Sequence, residues 1–479
     1  MADAASRLTT LAETLLGEPP PVRIRAWDGS EAGPADAPVL VLRHQRALRR
    51  LIWKPGELGM VRGWVAGELD IEGDLYEALD RLSGLVWDRP GSRLPRDPRL
   101  AAAVRELWRL AGPRAWLPVR PPAEEVRRRS GPLHTRSRDR QAISHHYDVG
   151  NAFYEHVLGP SMVYSCAYWR DGGTLEEAQR DKLDLICRKL RLREGRRLLD
   201  VGCGWGSMAI HAAREYGVQV TGVTLSREQA AYARKRVAQE GLTDRVDIRV
   251  QDYRDVKDGP YDAISSIGMA EHVGSARYRE YADALYGLLK PGGRLLNHQI
   301  ARRPEKDAKA EAAYRVDDFI DAYVFPDGEL APLGSTLSIM EEAGFETRDV
   351  ESIREHYART LRVWVANLES SWPDAVRRTS PGRARIWRLY MAASALAFEQ
   401  NKIGVNQVLA VRTPEGGASG LPLRAREWTE TVQSADSADS ANSAVTADSA
   451  EDMAARVTVE TAEAADFAQP VEAAESTPR

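Results

Sequence analysis

At 479 residues the chain is too long for one ordinary hydrophobic core, so two domains and a tail are expected. Apolar residues make up 43%, ample for burial, yet no apolar run approaches the ~18 residues of a membrane span. The net charge of −4 hides a basic stretch over Arg81–Arg140 and an acidic one over Thr431–Arg479, and three cysteines (Cys166, Cys187, Cys203) argue against a disulfide framework or a zinc site.

In chain order, Met1–Pro20 lacks the cationic and long apolar parts of a signal peptide. Leu8, Leu11, Leu15 and Leu16 fall at helical spacing instead. A cytoplasmic protein is therefore expected. Residues 1–130 read as a small α+β domain with a basic linker. Val39–Leu42 and Leu51–Trp53 are expected as short strands, and Leu75–Trp87 as a helix. Pro90–Pro98 and Pro113–Pro122 are Pro/Arg-rich linkers, separated by an amphipathic helix around Val104–Leu110. Residues 131–415 form the second expected domain.

From Ser144 to Thr413 strand and helix signals alternate. Strands are expected at Arg197–Val201, Gln219–Val223, Val246–Val250, Asp262–Ile267, Arg294–His298, Glu346–Glu351 and Gln407–Val411. Helices are expected at Ser207–Tyr216, Arg227–Glu240 and Arg277–Leu289, the last stopped by Lys290-Pro291-Gly292-Gly293. This is a doubly wound α/β sheet, which takes its ligands at the carboxyl ends of strands. Residues 416–479 carry a Ser-Ala-Asp repeat and few large apolar groups, so disorder and no catalytic role are expected there.

The stretch Leu199-Asp200-Val201-Gly202-Cys203-Gly204-Trp205-Gly206 ends an apolar strand in three glycines and opens a helix. Such glycines let a ligand lie against bare backbone, and the free N–H groups of the helix favour a polar group. The spacing is not that of dinucleotide binders. It resembles the first motif of S-adenosylmethionine (SAM) methyltransferases.

The segment from His145, through Asp148-Val149-Gly150-Asn151 to Tyr164-Ser165-Cys166-Ala167-Tyr168-Trp169, narrows the resemblance. Further motifs follow in order: Gly222-Val223-Thr224-Leu225-Ser226, Gln251-Asp252-Tyr253, Gly268-Met269-Ala270-Glu271-His272, Asn297-His298-Gln299-Ile300 and Tyr323-Val324-Phe325-Pro326-Asp327. Together they resemble the cyclopropane-fatty-acyl-phospholipid synthase family. The resemblance implies a Rossmann-like, seven-stranded class I SAM methyltransferase fold. It also implies alkylation of a cis double bond in an unsaturated, oleoyl-type phospholipid.

By that resemblance, SAM is held by Tyr164, Ser165, Gly202, Gly204 and Gly206, with Thr224 and Gln229 at the ribose. Gln251, Asp252 and Ile267 would meet the adenine, while Asp200 orders the glycine loop. Attack by the alkene leaves a carbocation on the acyl chain. Such an ion needs apolar or aromatic walls and a base for the methyl proton. The family's base is bicarbonate. Its implied ligands here are the backbone N–H groups of Cys166 and Ile300, the side chains of His298 and Tyr323, and Glu271 as acceptor of its hydroxyl proton. Each has a plainer reading: Cys166 as a small buried residue, His298 as a satisfied core histidine, Glu271 as a helix cap, Tyr323 as a core aromatic. His145, His146 and His272 are supporting candidates. Asn297, where the family often has an apolar residue, points to altered polarity at the site. The charged segment Ala301–Phe319 is expected to be a mobile lid.

The arginines of 81–140 with Trp87, Trp108 and Trp116 suit a peripheral position on the inner membrane face, and a solvated linker is the plainer account. No nucleic-acid fold motif accompanies them, so nucleic acid is not an expected partner. Arg25-Ala26-Trp27-Asp28-Gly29 and Gly63-Trp64-Val65-Ala66-Gly67-Glu68 are similar to the subgroup making 10-methylene chains in tuberculostearic acid synthesis, where a separate reductase completes the methyl branch. Ring closure to a cyclopropane is the alternative product. A small-molecule SAM methyltransferase and a non-catalytic lipid-surface protein are the rival functions. Oligomeric state stays open, with a homodimer among the options.

Overall fold

The computed structural model describes residues 3–86, 98–126, 135, 138, 150–307, 311, 314 and 317–424. Two contact units result, Met1–Leu421 and Pro422–Arg479, and every named element lies in the first. Trp87, His145, His146 and the acidic tail lie outside the described residues, as does most of the basic stretch after Val126.

The chain opens with α1 (Ala4–Leu16), whose N-cap Asp3 accepts the Ser6 N–H and whose end is closed by Gly17 at φ 82°. A small sheet follows, in the order β2-β1-β3-β4, from β1 (Arg23–Arg25), β2 (Glu31–Ala32), β3 (Val39–Leu42) and β4 (Leu69–Glu72). Between β3 and β4 run α2 (Arg46–Trp53) and α3 (Glu57–Val65), and after them α4 (Leu75–Val86) and α5 (Pro98–Leu110). The expected strand at Leu51–Trp53 is the last turn of α2. Its Leu-Ile-Trp triplet looks strand-like in isolation. The eight residues taken together bury Ala47, Leu48 and Arg50 on one helical face, and that periodicity decides. These elements share a core of Leu8, Leu11, Ile24, Leu48, Leu69 and Leu110.

A second sheet has seven strands in the order β10-β11-β9-β8-β5-β6-β7. They are β5 (Arg197–Val201), β6 (Gln219–Thr224), β7 (Val246–Val250), β8 (Tyr261–Ile267), β9 (Leu289–Arg302), β10 (Glu346–Ser352) and β11 (Ile403–Val411). β5 through β9 pair in parallel; β11 runs antiparallel between β9 and β10. All seven expected strands are present, as are the helices α8 (Ser207–Tyr216), α9 (Arg227–Gln239) and α10 (Tyr278–Leu288). Ahead of the sheet lie α6 (Asn151–Leu158) and α7 (Leu175–Lys189), the latter opened by a capping box between Thr174 and Glu177. After β9 come α11 (Leu333–Glu342), α12 (Arg354–Ser370), α13 (Trp372–Arg378) and α14 (Pro381–Glu399).

α6, α12 and α14 build an aromatic-rich core over the carboxyl ends of the parallel strands. Trp64 of α3 belongs to that core too: its Nε1 donates to the Arg385 carbonyl at 2.9 Å, and the Arg385 guanidinium lies 4.4 Å from its ring centroid. No described helix is long and apolar enough to cross a membrane.

Candidate active site

β5 ends at Val201, and Gly202 (φ 78°), Gly204 (φ 52°) and Gly206 (φ 83°) turn the chain into α8. These dihedrals disfavour any side chain. A Cβ on Gly202 would sit 3.2 Å from Cβ of Met269, and one on Gly206 3.0 Å from Cβ of Ala233. Beside the turn opens a cleft lined by Gly202, Gly204, Thr224, Gln229, Asp252 and His272 among others. Gln251 also lines it; Ile267, the last residue of β8, does not.

Thr224 and Gln229 are coupled in the cleft. Thr224 Oγ1 donates to Gln229 Oε1 at 3.0 Å, so the Gln229 amide N–H groups are left as donors. The Gln229 backbone is fixed at the start of α9 by its N–H bond to Ser226 Oγ, 3.1 Å. Asp252 accepts from Arg254 Nε at 2.8 Å and Nη2 at 2.6 Å, and Gln251 Nε2 donates to the Asp255 carbonyl at 2.8 Å. Asp200 lies beneath the turn. It accepts from Ser265 Oγ at 2.7 Å, and burial lifts its carboxyl to about 6.

Glu271 follows β8 in a short turn, Ala270–His272. Its Oε1 accepts the Ile300 N–H at 2.7 Å, and its Oε2 is buried with no hydrogen-bond partner among the described residues. Burial raises the carboxyl to about 7 against the opposing pull of the Ile300 N–H. The Ile300 N–H is thus turned toward Glu271. His298 lies two residues earlier on β9 and so on the same face. It is 2% exposed, its Nε2 is buried without a partner among the described residues, and burial keeps the ring neutral, well below the ordinary histidine range. Asn297 faces the other way, accepting from Tyr281 and donating to Gln299, so its polarity is spent behind the sheet.

Cys166 is fully buried, its Sγ donating to the carbonyls of Ala167 (3.2 Å) and Ile353 (3.5 Å), and burial holds the thiol well above its ordinary pKa. Ser165 Oγ accepts from Lys182 of α7 at 2.9 Å. Lys182 is 1% exposed and burial lowers its ammonium to about 8. Tyr323, in the helical turn Ile320–Val324, donates its hydroxyl to Glu125 Oε2 at 2.8 Å. Glu125 in turn takes a bidentate pair from Arg62 of α3 (2.7 and 2.5 Å). The structure therefore gathers Glu271, Ile300 and His298 around β9 and anchors Tyr323 to the amino-terminal elements.

A chain of packed aromatic rings starts at the glycine turn and ends at His272, which lines the cleft. From Trp205 of the glycine turn the centroids step to Tyr154 (4.7 Å), Trp387 (5.4 Å), Tyr390 (5.9 Å) and Phe325 (5.9 Å), and from there to His272 (5.6 Å). Tyr164 joins from the side, 5.9 Å from Trp387 and 5.4 Å from Trp364. Glu271 is near enough to Tyr390 that its charge adds to burial in raising that phenol to about 12. In the charged segment after β9, Arg302 is held by Glu311, by the Leu330 carbonyl at 2.9 Å and over the Tyr314 ring at 3.9 Å; seven of its residues lie outside the described ones.

Residues 134–408 match the family model described as mycolic acid cyclopropane synthetase. The chain belongs to this family, and its enzyme class is SAM-dependent methyltransferase. It is 45% identical over 416 residues to the "probable fatty acid methyltransferase" of Mycobacterium tuberculosis, covering 84% of this chain and 94% of the relative. It is 40% identical over 272 residues to the cyclopropane-fatty-acyl-phospholipid synthase of Escherichia coli (57% and 68% covered). The tuberculostearic acid methyltransferase UfaA1 of Mycobacterium tuberculosis is 32% identical over 406 residues (82% and 88%). Among solved structures, the mycolic acid cyclopropane synthase CmaA1 in complex with SAH and CTAB superposes with a TM-score of 0.54 at 33% identity, over 57% of this chain and 98% of that one.

Sequence reasoning missed Lys182, Lys189, Glu125, Arg62 and the aromatic wall. Lys182 and Lys189 did carry a signal: in a chain with nine lysines, two stand seven apart, hence on one face of α7. Glu125, in a Pro/Arg-rich stretch, carried none.

Proposed function

We propose that this enzyme transfers a methyl(ene) group from SAM to the cis double bond of an unsaturated phospholipid acyl chain, deprotonates the resulting carbocation with bound bicarbonate, and releases a 10-methylene chain. The observation that carries the reading is the pair of buried, unpartnered atoms Glu271 Oε2 and His298 Nε2 beside the glycine-turn cleft and the aromatic wall. An acceptor and a neutral imidazole nitrogen fit an oxyanion that keeps one proton.

Bare backbone at Gly202 and Gly204, with Thr224 and Gln229 opposite, suits SAM, which supplies the electrophilic methyl carbon. Bicarbonate, when bound, supplies a base that cannot trap the cation as a protein ester. Glu271 would accept its hydroxyl proton and so keep the basic oxygen turned to substrate, and His298 would donate to it. Tyr154, Trp387, Tyr390 and Tyr164 exclude water from the cation and offer it ring faces. The chemistry balances: the alkene π pair forms the new C–C bond, sulfur takes the old C–S pair, and proton loss from the new methyl, after a 1,2-hydride shift, leaves the exocyclic methylene.

The likeness to the fatty acid and tuberculostearic acid methyltransferases, over 84% and 82% of this chain and so reaching into the amino-terminal elements, supports the methylene product. A reductase would then act on it. The 40% identity to a cyclopropane synthase supports ring closure as the second reading. Trp53, Trp108, Trp116 and Leu117 stand exposed beside Arg49, Arg105 and Arg114, which supports a peripheral seat on an anionic lipid surface for residues 1–130, with 131–415 as the catalytic domain.

Incubation with SAM and oleoyl phospholipid vesicles, read by mass spectrometry, should give a chain heavier by one CH2, and NMR of the product separates methylene from ring. No mass gain from protein that binds SAM would overturn the lipid reading. Bicarbonate-depleted buffer should slow turnover; an unchanged rate would remove the bicarbonate step.

A further inference from the structure

β11 pairs antiparallel with β9, and Gln407 is the direct cross-strand partner of His298. Both side chains therefore lie on one face of the sheet. Gln407 and Lys189 are 0% exposed and His298 2%. Lys189 Nζ donates to Gln407 Oε1 at 2.9 Å and to Glu351 Oε2 at 2.5 Å, with Asp349 Oδ2 at 3.5 Å. On its other side, Gln407 Nε2 lies 3.5 Å from His298 Nδ1, at the outer limit of a hydrogen bond.

An ammonium has three protons and no lone pair, so Gln407 must turn its oxygen to Lys189. Reversing the amide would set the NH2 group against the ammonium inside the protein, two donors face to face, and would cost Lys189 its contact with Gln407 Oε1. The Gln407 NH2 is thereby committed to the histidine side, and a ring nitrogen facing a donor carries the lone pair. We infer that Lys189 and Gln407 are positioning residues that fix His298 as the Nε2–H tautomer, so that a buried N–H, not a lone pair, faces the oxyanion pocket beside Glu271. The ring is neutral, since burial and the cationic Lys182 and Lys189 oppose a second proton, so one proton must choose between the two nitrogens. The carboxylates of Asp349 and Glu351 on β10 lie 3.5 and 2.5 Å from Lys189 Nζ and hold it against Gln407. The Nε2 side has no protein partner, as a donor reserved for a ligand would have.

The pocket's use for an oxyanion rests on the function proposed above; the tautomer does not. The test is 15N NMR of the full chain labelled at histidine, with no substrate or SAM added, the His298 signals identified by their loss in His298→Gln. The wild type should show a proton-bearing, pyrrole-type Nε2 and a pyridine-type Nδ1. Gln407→Glu places an acceptor against the ring and should move a proton onto Nδ1. Turnover should then fall by about 10- to 100-fold, as when groups that orient a functional histidine are altered, while SAM affinity stays within about threefold. A wild-type ring protonated on Nδ1, or a Gln407→Glu ring unchanged from wild type, overturns the inference. Should Gln407→Glu fail to fold, the wild-type spectrum decides alone. An Nε2–H ring in an enzyme indifferent to bicarbonate would leave the positioning intact and count only against the oxyanion's identity.

Discussion

Replacing Glu271 by glutamine is expected to stabilise the protein above neutral pH while nearly abolishing turnover. One carboxylate oxygen accepts the Ile300 N–H at 2.7 Å and the other is sealed without a partner. Burial lifts the group from its ordinary 4.5 to about 7. Between those values the native state holds a proton that the unfolded chain has released, so stability falls as pH rises across that window. The whole loss is ~3 kcal/mol once the pH is well above 7. Glutamine keeps an oxygen for the Ile300 N–H and has nothing to ionise, so it lacks this slope. Its new NH2 group, left short of partners, costs roughly 1 kcal/mol at every pH. Urea unfolding of both proteins from about pH 4 to about pH 8 should therefore show the variant losing at the acid end and gaining by ~2 kcal/mol at the alkaline end. The same ionisation predicts a wild-type activity limb that rises through about pH 7 and is missing from the variant. A stability difference that does not change with pH would mean that Glu271 titrates like an exposed carboxyl, and the sealed pocket would have to be abandoned.

Thr224→Val removes the hydroxyl that turns Gln229; calorimetry should show SAM binding weaker by about tenfold, roughly one hydrogen bond, with kcat at saturating SAM little changed. Glu125→Gln weakens the grip on Tyr323 and leaves Arg62 under-compensated, so the melting temperature should drop by an amount equivalent to about 2 kcal/mol and kcat should fall without loss of SAM affinity. A Trp108→Ala/Trp116→Ala pair, both rings exposed, should sediment less with phosphatidylglycerol vesicles and bind SAM normally; equal sedimentation would move the lipid-facing surface elsewhere.

The nucleotide-type half of the site was legible because it is local. Three glycines after an apolar strand can hardly be anything but a turn, and Thr224, Gln251 and Asp252 follow strands whose alternation is plain in the chain. The ends of α8, and both ends of β5, β7 and β10 to within a residue, fall where the pattern puts them, because their caps and breakers lie next to them in sequence. The proposed reacting centre could be named only through the ordered motifs. Nothing near His298 announces Gln407, which comes 109 residues later and reaches it through strand pairing. Nothing near Tyr323 announces Glu125, 198 residues earlier. The Leu51–Trp53 error has the same root on a smaller scale: three residues cannot display a period of 3.6, and their neighbours settle the matter.

Those long-range links also bear on what the amino-terminal elements contribute. Tyr323 is tied to Glu125 and through it to Arg62 of α3, the Val126 N–H donates to the Ala322 carbonyl at 2.9 Å, and Arg138 clasps Asp327 with bonds of 2.6 and 2.7 Å. The first two land on the turn that carries Tyr323; the third lands on Asp327, whose N–H donates to Asp321 of that turn at 3.1 Å, and Phe325, next after the turn, packs against Tyr390 and His272. A side chain held on a five-residue turn has little stiffness of its own; its position is set by whatever grips the turn. The grip here comes from segments ahead of the SAM-binding sheet, with a charged pair that is only 14–18% exposed and therefore stiff. The amino-terminal elements thus set where Tyr323 stands, and on the proposed function a lipid surface that shifted α3 would be felt at Tyr323 before it was felt at the glycine turn.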